Sequence, residues 1–375
     1  MPWTVLLFAA SMFVAYANGA NDNFKGVATL FGSGTTTYRK ALWLATGATL
    51  TGSVAAAFVA TTLIQTFGGR GLIPAALAGS KPFLVAVILG AAFTVALATK
   101  IGAPISTTHS LTGAMIGTGL VAVGFDLGFS TLWTNFLKPL MVSPLLAVGL
   151  ALLAYPLFRL AANWTGITKE ACLCVGEEFV PVAVATTAEG RHLPIGTTPL
   201  RVVLDEAEGC RRRYTGTMMG VSAQTVLDGV HYLSAGAVSF ARGLNDTPKI
   251  VALGVAAGSV DLTWGASLVA LFMALGGLLH ARSVAETVST RITAMAADQG
   301  VIANLVTSFL VIFASRWGLP VSTTHVSCGA LFGIGASNGK AQWGVVRNIV
   351  LAGVITLPVA ALVAAGIYVL LQRVA

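Results

Sequence analysis

Long apolar runs constrain the fold of this chain more than any other feature. Residues 41–67, 83–99 and 345–371 together contain one charged residue, Arg347. A helix crosses a bilayer with about 20 apolar residues, and runs of about 17–25 are compatible with crossing. Charged residues make up only 10% of the chain, against about 25% in a typical soluble domain. The sequence therefore predicts an all-α polytopic membrane protein in contact with lipid.

A hydroxyl-rich motif occurs twice in this apolar chain. It reads "GAPISTTH" at 102–109 and "GLPVSTTH" at 318–325. A second pair lies upstream in the same order, "ANGANDNFKG" at 17–26 and "ARGLNDTPKI" at 241–250. Matching motifs in matching order indicate an internal duplication. We predict a first transmembrane repeat at 1–162 and a second at 216–375, separated by an insertion at 163–215.

Each repeat is predicted to hold about five helical segments. Because five is odd, the second repeat would enter the membrane from the opposite side, which gives two inverted-topology repeats, a common transporter plan. The first segment of each repeat is expected to break near its Asn-Asp pair. The predicted segments are 3–31, 41–66, 83–99, 105–124 and 131–160, then 217–257, 262–281, 299–315, 321–336 and 343–371.

Loop charges favour one orientation of these segments. With the N-terminus outside, most basic loop residues, including Arg39, Lys40 and the run 211–213, fall in the cytoplasm, as the positive-inside rule requires. The same placement makes the insertion cytoplasmic, and "FVPVAVATTAEG" and "LRVVLDEAEG" within it predict short strands. We expect a multi-pass protein of the cytoplasmic (inner) membrane. The net charge of +8 is assigned to these loops, and no nucleic-acid partner is predicted.

The duplicated Ser-Thr-Thr runs predict an anion site. A Gly-x-Pro break at membrane depth is tolerated only where protein or a watery cavity satisfies the freed backbone groups. The exposed start of a half-helix attracts anions. Two re-entrant half-helices meeting at the midplane could grip a tetrahedral anion through their hydroxyls, unless those hydroxyls merely cap the helices. The predicted binding residues are Ser106, Thr107, Thr108, Ser322, Thr323 and Thr324.

Two Asn-Asp pairs form the second predicted constellation. Asn21-Asp22 and Asn245-Asp246 lie inside apolar stretches, and a carboxylate within a membrane is a functional candidate because its burial is costly. Each Asp binds a cation, carries a proton, or pairs with the Lys three residues on.

Two further pairs of titratable residues lie in apolar surroundings. His109 and His325 follow the hydroxyl runs and are candidates for proton coupling; packed structural histidines are the alternative. Asp228 and His231 also interrupt an apolar run, but they are weaker candidates because neither has a partner in the other repeat.

These motifs resemble those of the inorganic phosphate transporter (PiT) family. Its signature is a duplicated Gly-Ala-Asn-Asp-Val-Ala-Asn element with Gly-x-Pro-x-Ser-Thr-Thr-His, found here as "GANDNFK" and "GLNDTPK" beside two full copies of the second motif. The resemblance implies a phosphate transporter that works by alternating access, usually coupled to sodium or protons. It also implies that the Ser and Thr residues bind the anion and that the Asn-Asp elements hold the cation.

Three basic residues depart from the family signature. Lys25 and Lys249 stand where the family has Asn, and Arg242 stands opposite Asn18. We predict that these three groups also bind the substrate. An ammonium beside a carboxylate can take the electrostatic role of bound sodium, so we predict a proton-coupled permease with weak or no sodium dependence.

Other functions remain as alternatives. A sulfate permease on the same scaffold is the second interpretation, because sulfate has the same shape and some relatives carry it. An anion channel is less favoured. An enzyme is not predicted, since the nucleotide-binding loop pattern G-x-x-x-x-G-K-[ST] is absent from the sequence, and neither a cofactor nor a metal site is predicted. A homodimer is compatible with such a bundle.

Overall fold

The structure is a computed structural model that describes residues 2–165, 171–178, 185–186, 192–193, 200–206, 214–256, 258, 261–292, 296–339, 341 and 343–373. The chain forms two compact units. One, here called the membrane unit, combines Met1–Pro156 with His231–Ala375. The other is Leu157–Val230, wider at both ends than the predicted insertion.

Helices account for almost all of the described first repeat. The helices are α1 Pro2–Asp22, α2 Ala28–Gly32, α3 Tyr38–Val59, α4 Thr61–Phe67, α5 Ala75–Ala78, α6 Lys81–Lys100, α7 Thr107–Val123, α8 Phe129–Leu132 and α9 Lys138–Thr165. Short 3-10 segments cover Asn23–Val27 and Gly124–Asp126, and a π-helical segment covers Trp133–Leu137.

The second repeat follows a similar order. Its helices are α10 Ala223–Ala256, α11 Leu262–His280, α12 Arg282–Glu286, α13 Ala297–Arg316, α14 Thr323–Ser337 and α15 Trp343–Gln372, with a π-helical segment at Thr287–Ile292.

Seven helical stretches among the described residues are long and apolar enough to cross a membrane. They are Trp3–Gly32, Tyr38–Val59, Lys81–Lys100, Phe129–Thr165, Leu262–His280, Ala297–Arg316 and Val346–Gln372. Helices α7 and α14, which carry the Ser-Thr-Thr runs, have only 17 and 15 residues. At 1.5 Å per residue these are shorter than the roughly 30 Å hydrocarbon layer, as expected of half-helices.

The predicted breaks at the Asn-Asp pairs are wrong in detail. Helix α1 continues through Asp22, and the break is the 3-10 segment that follows, which contains Lys25. Helix α10 shows no break at Arg242–Asp246 and continues past Pro248. A proline inside a membrane helix is tolerated where neighbouring elements satisfy the freed backbone groups. Asn245 Nδ2 donates to the Val321 carbonyl of the next broken segment at 3.2 Å, as Asn21 Nδ2 donates to the Ala103 carbonyl at 3.0 Å in the first repeat, where the helix ends at Asp22.

Glycines bring the half-helices close to two long helices. A Cβ on Gly113 or Gly117 would lie 2.3 and 2.1 Å from backbone oxygens of α15. A Cβ on Gly329 or Gly333 would lie 2.6 and 2.5 Å from backbone oxygens of α9. These are the matching glycines of the two repeats, so the small-xxx-small spacing packs both half-helices in the same way.

The first helices of the two repeats pack antiparallel. Asn18 contacts Asp246, Gly26 packs on Ser239, and Thr29 contacts His231. Residue numbers rise along one helix while they fall along the other. This direction is the one that two oppositely inserted repeats require.

The second unit contains the strands β1 Ala171–Glu178, β2 Ala185–Thr186, β3 His192–Leu193, β4 Leu200–Glu206 and β5 Tyr214–Ser222. Three of them form an antiparallel sheet of order β4-β1-β5, and β2 pairs separately with β3. Strand β4 confirms the strand expected in "LRVVLDEAEG". The strand expected in "FVPVAVATTAEG" falls mostly outside the described residues. Within this unit Gln224 Nε2 donates to Asp228 Oδ1 over 2.7 Å.

Candidate functional site

The duplicated motifs begin two half-helices in the same way. Gly102 and Gly318 adopt positive φ angles of 70° and 72°, which suit glycine because it lacks a Cβ. Ser106 and Ser322 then act as N-caps, accepting hydrogen bonds from the backbone N–H of the following His at 3.2 and 3.3 Å. The capping interpretation therefore describes both serines, and binding by their hydroxyls stays a prediction.

Lys25 lies in a cage of protein oxygens. Its Nζ donates to Asn21 Oδ1 at 2.9 Å, to the Ile105 carbonyl at 2.6 Å and to Thr324 Oγ1 at 2.9 Å. It also forms a short ion pair with Asp22. The Lys25 side chain is only 6% exposed. Amide, carboxylate, carbonyl and hydroxyl oxygens around one cation are the kind of ligands that hard metal ions take in proteins.

Lys249 repeats this arrangement in the second repeat. Its Nζ donates to Thr108 Oγ1 at 2.6 Å and to the Val321 carbonyl at 2.9 Å, and it pairs with Asp246 Oδ1 at 3.3 Å. Each lysine thus pairs with the Asp of its own repeat and with the motif Thr of the other repeat. The ammonium groups are fully engaged by the protein, which leaves them poorly placed for direct contact with a substrate.

The motif threonines also exchange bonds between repeats. Thr108 Oγ1 donates to the Val321 carbonyl at 3.1 Å, and Thr324 Oγ1 donates to the Ile105 carbonyl at 3.3 Å. Two hydrogen bonds consequently connect the two helix starts directly, one from each threonine, and two more join each lysine to the helix start of the other repeat. The predicted meeting of the two motifs is present in the structure.

The Asn-Asp elements are fixed by buried polar neighbours. Asn21 Nδ2 donates to Thr99 Oγ1 at 3.0 Å, and Ser315 Oγ donates to Asn245 Oδ1 at 3.3 Å. Thr107 Oγ1 donates to Asp22 Oδ2 at 3.0 Å. Thr99 and Ser315 were not predicted from the sequence, although each occupies the matching position one helix before its motif.

Asn18 is a further central residue that sequence analysis mentioned only as the counterpart of Arg242. Its Nδ2 donates to Asp22 Oδ2 at 2.9 Å, to Thr107 Oγ1 at 3.0 Å and to Asp246 Oδ2 at 3.2 Å. Two carboxylates around this nitrogen fix the orientation of the amide. Its Oδ1 is buried and has no hydrogen-bond partner among the described residues.

Arg242 occupies the position equivalent to Asn18 and is the largest fully buried side chain. All three guanidinium nitrogens are buried without a hydrogen-bond partner in the described part of the chain. The guanidinium is attracted by the carboxylates of Asp22 and Asp246. Since Lys25 and Lys249 already pair with these carboxylates, Arg242 is the central charge left uncompensated. The three basic groups and the two carboxylates together carry a net charge of +1.

The two motif histidines lie against each other. The ring centroids of His109 and His325 are 4.6 Å apart with an interplanar angle of 34°. His325 Nδ1 contacts Ser322 Oγ at 2.7 Å, while His109 Nδ1 is buried without a partner among the described residues. The pair thus lies immediately beside the N-caps. The last predicted residue, Thr323, is buried at the start of α14.

A bundle of membrane-spanning helices surrounding a buried, net positive site between two half-helix starts defines a polytopic membrane transporter rather than an enzyme. The model of the phosphate transporter family matches residues 18–364. The chain belongs to the phosphate transporter family, as the motifs predicted. Phosphate is thereby supported as the transported substrate.

Individual relatives cover the chain almost completely. A protein of Pyrococcus abyssi named as a phosphate permease is 28% identical over 98% of this chain and 97% of the relative. Inorganic phosphate transporter 2-1 of Arabidopsis thaliana is 25% identical over 97% of this chain and 71% of the relative. A solved structure described as the sodium-dependent phosphate transporter shares the fold, with a TM-score of 0.76, 24% identity and full coverage of both chains.

Proposed function

We propose that this protein is a proton-coupled phosphate permease that uses no sodium and works by alternating access. One observation carries the proposal: the guanidinium of Arg242 is buried without a hydrogen-bond partner among the described residues and is attracted by the central carboxylates of Asp22 and Asp246. Leaving a buried charged group unsatisfied costs several kcal/mol, on the order of 2–5 when its partner is absent. An oxyanion would supply the missing acceptors, and Arg matches phosphate geometry with bidentate bonds.

Asn18 favours phosphate over sulfate. Its Oδ1 is a buried acceptor without a partner among the described residues. Its Nδ2 bonds Asp22 and Asp246, the two carboxylates that attract the Arg242 guanidinium. A ligand that satisfies both groups must accept from Arg242 and donate to Asn18. Protonated phosphate carries such a donor, whereas sulfate has none at neutral pH. A site with a buried acceptor strongly rejects an analogue that lacks the matching hydrogen-bond donor.

The charge balance favours proton coupling. The five central side chains sum to +1, so a monoanion brings the buried site to neutrality while a dianion leaves it negative. Because an unbalanced charge in a low-dielectric site is costly, the bound species is phosphate with its extra proton. Uptake of that species carries one proton with each phosphate. The His109–His325 pair beside the helix starts is the candidate group for passing it.

The two lysines favour independence from sodium. Lys25 and Lys249 bring fixed positive charges to the oxygens that would otherwise coordinate a cation. A sodium ion would have to displace an ammonium from its ion pair. In this proposal the lysines act as internal cations rather than as direct substrate ligands, and Asp22 and Asp246 hold them.

Alternating access follows from two inverted repeats around one midplane site. The antiparallel packing of α1 with α10 supports this relation. The protein is proposed to reside in the cytoplasmic membrane with its N-terminus outside.

Counterflow in proteoliposomes tests the proposal. Purified protein is reconstituted, loaded with unlabelled phosphate, and exposed to labelled phosphate or labelled sulfate, each with and without a sodium gradient at fixed pH. We expect saturable phosphate counterflow that is indifferent to sodium. Net phosphate uptake into liposomes loaded without phosphate should be accompanied by proton uptake, whereas one-for-one exchange moves no net proton. Preferred sulfate counterflow would instead identify a sulfate permease, and non-saturable flux would identify a channel.

A matched variant separates the lysine argument from the rest. Lys25→Asn restores the residue of the family signature and opens the oxygen cage. We expect this variant to show greater sodium dependence than the parent protein. Steep sodium dependence in the parent, or unchanged ion dependence in the variant, would contradict the role assigned to the lysines.

A further inference from the structure

A second buried polar cluster lies in the membrane unit beyond the central site. His231 Nε2 is 3.1 Å from Thr29 Oγ1, and Asn304 Nδ2 is 3.0 Å from the same oxygen and 3.3 Å from Ser234 Oγ. All four side chains are at most 3% exposed. We call His231, Ser234, Thr29 and Asn304 the polar cluster.

The other repeat replaces this cluster with hydrocarbon. Pairing Asn21 with Asn245 makes Leu7 equivalent to His231, Ala10 to Ser234 and Leu253 to Thr29. Pairing the two motif serines makes Ile88 equivalent to Asn304. Leu7, Ala10, Leu253 and Ile88, here called the apolar cluster, are all buried and belong to one hydrophobic core cluster. The four positions of the polar cluster therefore correspond, through the internal repeat, to four positions that hold apolar residues.

The two clusters lie at opposite ends of one helix pair. Along the antiparallel pair of α1–α2 and α10, the Thr29–His231 contact is at one end and the Asn18–Asp246 contact is in the middle. Leu7 and Leu253 lie toward the other end of the pair, because residue numbers fall along α1 and rise along α10 in that direction. The central site therefore lies between the polar cluster and the apolar cluster.

Helix α13 extends the polar side toward the centre. Thr307 and Ser308 follow Asn304 on the same helix face, and Ser315 then bonds Asn245 in the central site. The equivalent positions of α6 hold Ala91 and Ala92 before Thr99. Thr307 and Ser308 are buried. The hydroxyls of Thr307 and Ser308 bond carbonyls of their own helix, and buried Val311 separates them from Ser315. The face of α13 between the polar cluster and the site thus carries two hydroxyls where α6 carries two alanines.

We propose that the polar cluster lines the wetted route by which phosphate passes between the central site and one face of the membrane, and that the apolar cluster is a dry gate on the other face. This inference rests on the proposed function. Apolar constrictions close to ions by dewetting, whereas polar linings hydrate as soon as they part. A dehydrating anion also needs donors at each step, and Thr29, Ser234, Asn304 and His231 can offer them.

The test compares two double variants. Thr29→Val with Asn304→Leu removes polar groups of the cluster, and Thr51→Val with Thr134→Val removes two exposed hydroxyls outside both clusters that bond carbonyls three and four residues earlier. Each protein is assayed for phosphate counterflow in proteoliposomes and for phosphate binding by calorimetry in detergent. Binding also reports that each variant is folded.

We expect Thr29→Val with Asn304→Leu to slow counterflow about tenfold, since losing one ordinary hydrogen bond raises a barrier by up to about tenfold. Phosphate binding should stay within about twofold of the parent protein, and the exposed double variant should keep both activities. Unchanged counterflow, a parallel loss of binding, or an equal loss in the exposed double variant would each overturn the inference. A parent protein that neither binds nor exchanges phosphate would instead refute the proposed function.

Discussion

Replacing Arg242 by Asn should have opposite effects on ligand binding and on stability. Asn is the residue that the first repeat holds at the equivalent position, Asn18. The guanidinium makes no hydrogen bond among the described residues, so its removal breaks none of them and relieves the cost of an uncompensated buried charge. Lys25 and Lys249 still neutralise both carboxylates. The melting temperature of the ligand-free variant should therefore equal or exceed that of the parent.

Phosphate affinity should fall steeply in the same variant. Truncating one partner of a buried, hydrogen-bonded charge pair costs about 2–5 kcal/mol, which corresponds to about 30-fold to several-thousand-fold in Kd. Calorimetry and phosphate-induced thermal shifts in detergent measure this loss. Arg282→Asn is the matched control, because its side chain is 81% exposed and pairs only at the surface with Glu286. Arg242→Asn with normal affinity and a lowered melting temperature would refute the reasoning.

Three further predictions concern packing, capping and the buried ion pair. Gly117→Ala should destabilise the protein by about 1–3 kcal/mol through overpacking, whereas Gly366→Ala, with open space around its Cβ position, should be neutral or slightly stabilising; equal melting temperatures would contradict this. Ser322→Ala should lower the free energy of unfolding by about 1 kcal/mol through loss of the N-cap, while the phosphate Kd measured by calorimetry changes little. A large loss of affinity would instead show that this serine binds phosphate. Lys25→Met should cost about 3–5 kcal/mol by stranding Asp22, and adding Asp22→Asn should recover most of that loss in thermal unfolding; additive losses would show that the pair is not coupled.

The helical architecture could be predicted well because apolar length and an internal repeat are both visible in one sequence. The half-helices α7 and α14 begin at the motif serines, where Gly-x-Pro breaks the chain. The uninterrupted course of α10 could not be predicted. A proline beside several polar residues usually indicates a break, and α10 nevertheless stays helical through Pro248.

The central site could be predicted as a set of residues but not as a set of contacts. Duplication identified Lys25, Lys249 and the threonines, yet nothing in the sequence showed that each lysine binds the threonine of the other repeat. The polar cluster was missed for a different reason. His231 was considered without its counterpart, and the signal emerges only when Leu7 is set beside it.

The hydrogen bond from each lysine to the motif threonine of the other repeat also bears on how such a protein could be divided. Neither repeat alone can complete the coordination of its own lysine, since the last acceptor always comes from the other one. In a fragment comprising a single repeat, the lysine ammonium would lie within the bilayer without its last hydrogen-bond acceptor. A second fragment, inserted beside it in the opposite orientation, would supply that acceptor. Co-expressed halves should consequently rescue each other, and each half expressed alone should be degraded.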